Sequence, residues 1–418
     1  MTAEHDAATT VAGRRAETLA LHGGAHRFDP ATRAVAVPIY QTTSYQFQSA
    51  AQAARLFSMD EDGYTYSRVL NPTFDALEQR VAALEGGSAA LYLASGAAAR
   101  ELSLLNLAAT GDNVILSADI DDGVRFGAGL ARLGIEARFA DPSDPGSFGR
   151  ASDDRTRAYY AATLPTGTLA PFPIRPVAAI GRQLGIPLIV DNSATPLLVR
   201  PLEQGATAVI YAADGVLGAA RAEGGVLIDG GTFPWEEHAD RFPLLTAPDD
   251  SSHGKTWVDL SRRYGPIAYV VRVRGRLLRD FGPAGSPFGA FRLVQALETL
   301  PIRIRRHSAT AARIAATLTT HPLVRRIHYP GQDGAVAPAG LFTGGSGGLI
   351  GIDLRDGRTA KAVTDGLELI RPGNGPGDPR SLVLPATAAS PDRVRLWIGL
   401  EHPDDIIADL AQALERAA

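Results

Sequence analysis

The chain has 418 residues, 45% hydrophobic and 21% charged, with a formal net charge of -4, which fits a globular protein of one large domain and a smaller one. That charge leaves no basic footprint for nucleic acid or an anionic membrane, and the absence of cysteine excludes disulfides, thiolate metal sites and a cysteine nucleophile. The first residues lack the apolar core of a signal peptide and no run approaches the roughly 20 apolar residues of a membrane span, so a cytoplasmic protein is expected.

Residues 1–62 are Ala- and Thr-rich without a sustained helical period and read as an arm that must pack on a neighbour to be ordered. "FDALEQRVAAL" has helical spacing and is stopped by Gly86-Gly87. The strand candidate "AALYLA" follows, then Ser95-Gly96 and a helix pattern "AAARELSLLNLAA" ended by Gly111. "NVILSA", a helix from about Val124, "EARFA", "RAYYAAT", the helix "RPVAAIGRQLG", "PLIVDN" and "TAVIYAA" continue the alternation. Short apolar runs alternating with helices predict an α/β fold with a mainly parallel sheet covered on both faces. Such sheets bind ligands at the carboxyl ends of their strands. Ser95, Asp191 and Asp214 each close a strand candidate and should share that rim.

Residues 233–269 read as an irregular insertion ending the large domain, assigned to 63–272. The remainder, 273–418, opens with the long helix pattern "PFGAFRLVQALETLPIRIRRHSATAARIAATLTTH" and continues into a smaller α+β domain with strands near "GGLIGIDL" and "VRLWIGL". Asp119, Asp121, Asp122 and Asp214 offer carboxylates to a hard cation, but their spacing matches no metal motif and turn-forming aspartates are the commoner case. No metal is assigned. Of the 41 basic residues only Lys255 and Lys361 are lysines, so chemistry requiring a side-chain amine has two candidates.

Several stretches in order resemble one family: "AVPIYQTTSYQF", "YTYSRVLNPTFDALEQRVAALEGG", "LASGAAA", "GIPLIVDNSATPLLVRPLEQGA", "SPFGAFRLVQALETLPIRIRRH" and "VRLWIGLE". They are similar to the Cys/Met-metabolism (transsulfuration) branch of pyridoxal-phosphate (PLP) enzymes, nearest the O-acylhomoserine sulfhydrylase and cystathionine γ-synthase group. The resemblance implies the PLP-dependent transferase fold type I, an arm embracing a neighbouring subunit, and dimers paired into tetramers. It also implies the parts such chemistry needs: an amine for a Schiff base, an acid at the pyridine nitrogen, phosphate donors, and an arginine for the substrate carboxylate. By that resemblance Asp191 corresponds to the pyridine acid, Gly96 and Ala97 to part of the phosphate cradle, and Arg395 with Ser381 to the substrate side. Tyr66 and Arg68 correspond to phosphate ligands sent into the neighbouring subunit.

Other positions of the family pattern are altered. With one residue deleted between the strand "TAVIYAA" and the Gly-Gly after it, Gly215 falls at the lysine position, and Ala212 and Asp214 fall where phosphate hydroxyls belong. Asp121 stands in place of a ring-stacking tyrosine, and Ala162 and Thr166 replace a glutamate and an asparagine. A carboxylate about 4 Å from a phosphate costs on the order of 4 kcal/mol at an effective dielectric of 20. PLP is thus the cofactor by resemblance, without a covalent link in this chain, or no cofactor is bound at all. Two readings stay open. In one, the chain is a non-catalytic subunit completing the site of an intact PLP-dependent paralogue. In the other, it is a repurposed homomeric enzyme in which Asp121 and Asp214, in mutual proximity, act on an amino-acid-like ligand or a PLP adduct.

Overall fold

The computed structural model describes residues 13–25, 29, 31–332, 338, 340–384, 386 and 390–418; residues 1–12 of the expected arm lie outside it. The rest of the arm is not free of helix. α1 (Ala16–His22) buries Leu19 and Ala20, and α2 (Ala50–Phe57) is capped by Ser49, whose side chain accepts from the Gln52 N–H. Helices this short are not stable alone; α1 is held by burial of its apolar residues rather than by a period visible in the sequence. α3 (Pro72–Glu85) has local signals at both ends: the Asn71 cap, Pro72 in the first turn, and Gly86 at φ 79° after the last residue.

The alternation then runs as β1 (Ala89–Leu93), α4 (Gly96–Leu105), β2 (Asn113–Ser117), α5 (Gly123–Arg132), β3 (Glu136–Ala140), α6 (Gly146–Ala151), β4 (Thr156–Ala162), α7 (Ile174–Leu184), β5 (Leu188–Asp191), β6 (Ala208–Ala212) and β7 (Gly225–Asp229), with α6 and β7 added to the expected elements. The strand order is β1-β7-β6-β5-β4-β2-β3. β3, β2, β4, β5 and β6 pair in parallel, whereas β7 is antiparallel to both of its neighbours. The sheet is thus mainly parallel, with one reversed strand. α4 stops about four residues before the sequence pattern does. Asn106, the residue after it, is taken up tertiarily, donating to the Tyr269 carbonyl at 2.9 Å and accepting from Arg272 at 2.9 Å.

The stretch expected to be irregular contains short helices, α8 (Pro243–Thr246), α9 (Trp257–Ser261) and α10 (Ala268–Arg272), leading to α11 (Arg279–Phe281). Phe242, Trp257 and Tyr269 are fully buried there. These helices form around aromatic anchors, which carry no periodic signal over so few residues. α12 (Pro287–Leu318) spans 32 residues and keeps Pro301 inside it. β8 (Val324–His328), β9 (Leu349–Leu354), α13 (Gly357–Gly366), β10 (Arg371–Pro372), β11 (Leu382–Leu384), β12 (Arg393–Trp397) and α14 (Pro403–Arg416) complete the chain. Their sheet has the order β10-β11-β12-β9-β8 and its own apolar core, including Ile350, Ile352, Leu396 and Leu410.

Between β6 and β7 the backbone makes a wide turn over Ala213–Leu217, broken at Gly215 (φ -85°, ψ -133°). Ala219 and Ala220 follow, both at φ 54°, a region where a Cβ is strained by about 1–2 kcal/mol per residue. Ala219→Gly removes that strain while loosening the unfolded chain. It should raise the unfolding free energy by roughly 0.5–1 kcal/mol in a urea titration, whereas an ordinary buried alanine would lose stability on the same change.

Candidate active site

The carboxyl ends of β1, β2, β4, β5 and β6 bring Ser95, Asp121, Ala162, Asp191 and Asp214 to one rim. The approach is close enough to dictate residue size. A Cβ on Gly96 would lie 2.6 Å from the Ala212 Cβ, and one on Gly225 would lie 2.1 Å from the Ser95 carbonyl oxygen. The first turn of α4 is thereby seated directly on the β6–β7 hairpin. Ser95 caps α4, its hydroxyl accepting from the Ala98 N–H at 3.1 Å, and the N–H groups of Gly96 and Ala97 lie at the positive end of a ten-residue helix. An anion at that end would be favoured.

Asp191 ends β5. One carboxylate oxygen accepts from the Ser193 N–H at 2.9 Å and from its hydroxyl at 2.5 Å; the other accepts from the Tyr160 hydroxyl at 3.3 Å. Burial pushes the Asp191 carboxyl above the ordinary range, while these hydrogen bonds and the positive charge of Arg100 oppose the shift. The Ser193 hydroxyl in turn accepts from the Ala212 N–H at 2.7 Å, tying Asp191 to the strand that leads into the Gly215 turn. Arg100, on the first turns of α4, stacks its guanidinium 4.0 Å from the Phe126 ring centroid. Sequence reasoning missed both Arg100 and Tyr160. An arginine among the small and apolar residues of "GAAARELSLL" was the available signal for the first; Tyr160 lies inside an apolar strand and carried none.

Asp121 finds its hydrogen-bond partners in the turn after β4 and not in Asp214. Its carboxylate accepts from the Thr166 N–H (2.9 Å), the Thr166 hydroxyl (3.0 Å) and the Gly167 N–H (3.0 Å). Burial pulls the Arg395 guanidinium below the usual arginine range, and the Asp121 carboxylate opposes that shift. Arg395 also donates to the Thr166 carbonyl at 3.0 Å. Asp214, by contrast, is exposed at the head of the Gly215 turn. Among the described residues no group of three His, Cys, Asp or Glu is disposed to hold a metal.

Ser381, nearly fully buried, donates to Glu401 at 2.9 Å and accepts from the Gly399 N–H at 2.8 Å, so both of these bonds are internal. Gly215 is covered from the smaller sheet's side: a Cβ on it would stand 3.0 Å from the Pro376 carbonyl oxygen, and Gly377, at φ 116°, approaches so closely that its own Cβ would lie 2.2 Å from the Gly215 carbonyl carbon. The lysines are engaged elsewhere. Lys255 pairs with Asp60 at 2.9 Å and Lys361, on α13, pairs with Asp365. Tyr66 is 40% exposed. Arg68 donates to the Tyr66 hydroxyl at 3.1 Å and to the Arg279 carbonyl at 2.9 Å, with its guanidinium 5.2 Å from the Tyr66 ring centroid.

Behind the rim, Tyr211 on β6 donates to Glu85 and accepts from the Asn192 side chain at 2.9 Å. Burial pushes Glu85 up to about 7, against the pull of the Tyr211 hydrogen bond. A raised folded-state value means that the folded protein holds this proton more tightly than the unfolded chain. The resulting stabilisation is fully present below the unfolded value of about 4.3 and is lost as pH rises through about 7. Glu85→Gln, neutral throughout, should therefore be more stable than the parent at about pH 8, by on the order of 2–3 kcal/mol, and lose that advantage near pH 5, as read by urea unfolding at both values.

Residues 17–415 match the Cys/Met metabolism PLP-dependent enzyme family. Among curated relatives, the O-acetyl-L-homoserine sulfhydrylase of Leptospira meyeri is 41% identical, covering 96% of each chain, and the homocysteine/cysteine synthase of Saccharomyces cerevisiae is 35% identical, covering 96% of this chain and 97% of its own. A solved structure from Campylobacter jejuni, described as an O-acetylhomoserine (thiol)-lyase with N'-pyridoxyl-lysine-5'-monophosphate, superimposes with a TM-score of 0.89 at 36% identity, over 96% of this chain and 99% of that one. The fold is that of the fold type I PLP-dependent proteins, with a large α/β domain and a smaller C-terminal domain, and the chain belongs to the Cys/Met metabolism PLP-dependent enzyme family.

Proposed function

We propose that this protein serves O-acylhomoserine-type sulfur chemistry as a non-catalytic subunit, lending Tyr66 and Arg68 to the phosphate site of a lysine-bearing paralogue. The observation that carries the proposal is the Tyr66–Arg68 pair: an exposed phenol and a guanidinium bonded to each other, with the guanidinium also braced on the Arg279 carbonyl. Guanidinium groups are well suited to phosphate. A pair ordered before binding also loses less freedom on binding.

The chain's own rim does not fit a covalently held pyridoxal phosphate. Gly215 occupies the position assigned to the lysine and meets the Pro376 carbonyl, and both lysines of the chain are held in ion pairs by Asp60 and Asp365. Ala212 offers no hydroxyl to a phosphate, and Asp214 adds negative charge where a phosphate would sit. Asp191 and the α4 N-terminus are the groups that remain suited to a non-covalent ligand with a ring nitrogen and an anionic arm. No step of catalysis is assigned to them.

Purification of the tagged chain from its native host after borohydride reduction, followed by mass spectrometry, tests the proposal. A co-purifying paralogue carrying a pyridoxyl-lysine is expected. A chain that purifies alone and turns over an O-acylhomoserine without added cofactor would overturn it in favour of a repurposed enzyme acting on an amino-acid-like ligand or a PLP adduct. In the heteromer, Arg68→Ala should weaken cofactor retention in the paralogue by about 10- to 100-fold, the equivalent of one charge-assisted hydrogen bond; equilibrium dialysis of the complex measures it, and an unchanged affinity contradicts the assigned role.

A further inference from the structure

The turn at Thr166–Gly167 is gripped on both of its hydrogen-bonding faces. Its two N–H groups and the Thr166 hydroxyl go to Asp121. Its two carbonyls accept from arginines two residues apart on β12: Thr166 from Arg395 at 3.0 Å and Gly167 from Arg393 at 3.4 Å. Residues i and i+2 of a strand share a face, so both guanidinium groups approach from the smaller sheet. Arg393 is itself fixed by Asp353 at 2.6 Å and by His328 at 2.9 Å, and His328 lies 2.7 Å from Asp353. The next residue of the turn is held as well, Thr168 donating to Asp119 at 3.4 Å. The contact therefore runs from the loop ahead of α5, through the turn after β4, into three strands of the C-terminal domain.

A guanidinium is best satisfied by a carboxylate. Here Arg395 and the Asp121 carboxylate hold opposite sides of the same Thr166 peptide, and the aspartate's charge reaches the arginine. We infer that Asp121 is an internal ligand: by pinning the 166–167 turn, with its charge reaching Arg395, it joins the two domains and denies that arginine to the carboxylate of an external α-amino acid. The inference rests on the reading of this chain's own site as non-catalytic and supplies a physical cause for it. Asp121 thereby sets the specificity of the pocket. With the aspartate in place, a second carboxylate at Arg395 must be desolvated beside a like charge; without it, that like charge is gone and the N–H groups of Thr166 and Gly167 lose their acceptor.

The test uses the full chain. Binding of O-acetyl-L-homoserine is measured by titration calorimetry on the parent, Asp121→Ala and Asp121→Asn, with amide hydrogen exchange at residues 166 and 167 as a parallel readout. Asp121→Ala should bind about tenfold more tightly or better, consistent with loss of one charge-assisted contact's worth of competition, and exchange at both amides should accelerate. Asp121→Asn, which keeps a side-chain acceptor and loses the charge, should show an intermediate gain in affinity and guards against a folding defect in the alanine variant. Adding Arg395→Gln to Asp121→Ala should abolish the gain. Affinity for O-acetyl-L-homoserine equal to or below the parent in both Asp121 variants overturns the inference, whatever the amides do. These outcomes are separable from those of the subunit proposal. A gain in affinity with no co-purifying paralogue leaves Asp121 as an internal ligand and removes the partner; a paralogue with no gain does the reverse.

Discussion

The architecture depends on backbone meeting backbone at the rim of the large sheet. The turn before α4 sits on the β6–β7 hairpin with no room for a Cβ at Gly96 or Gly225, and the 373–378 segment sits on the Gly215 turn with none at Gly377. Interiors are packed at crystal-like density, so contacts this close leave little freedom in how the helix N-terminus, the hairpin and the smaller sheet are placed. Asp191 and Asp121 are carried by strands and turns already positioned by these contacts.

That rigidity holds the frame of the rim independently of the groups it presents. The carboxyl-end rim of a parallel sheet gathers loop residues whatever they are, and a fold persists when the groups it presents are exchanged. Here the gathered groups are turned toward one another. Asp191 is satisfied by Ser193 and Tyr160, and Asp121 by the 166–167 turn. Buried or half-buried polar groups need partners, and in this chain the partners come from the protein itself.

The arm shows the opposite behaviour. Val35, Tyr40 and Phe57 are among its exposed apolar and aromatic side chains, and α2 buries none of its residues fully. An arm of this kind gains its order from what it packs on. The rim is satisfied from within, whereas the arm faces outward.

The strands β1 to β6, β9 and β12, and α3 and the long α12, were legible from apolar periodicity and from caps such as Asn71 and Gly86, because those signals are local. So was the shared rim of Ser95, Asp191 and Asp214, which follows from strand direction. The helices α1 and α2 were not, nor those around Trp257 and Tyr269, since segments of four to eight residues draw stability from tertiary burial rather than from their own pattern. The shortening of α4 at Asn106 has the same origin. At the site, residue types at the altered positions were plain from sequence, including Gly215, Asp121 and the scarcity of lysine. What those residues touch was not. Arg393 lies two places from Arg395, so their common face could be read from the strand period alone. That both reach the carbonyls of one turn, whose N–H groups are held by Asp121, required two domains to be folded together across a sequence separation of 229. The sequence by itself determined the elements and the chemical identity of the rim; only the tertiary structure decided which of its charges face one another, because that depends on loop paths and domain packing that no local pattern encodes.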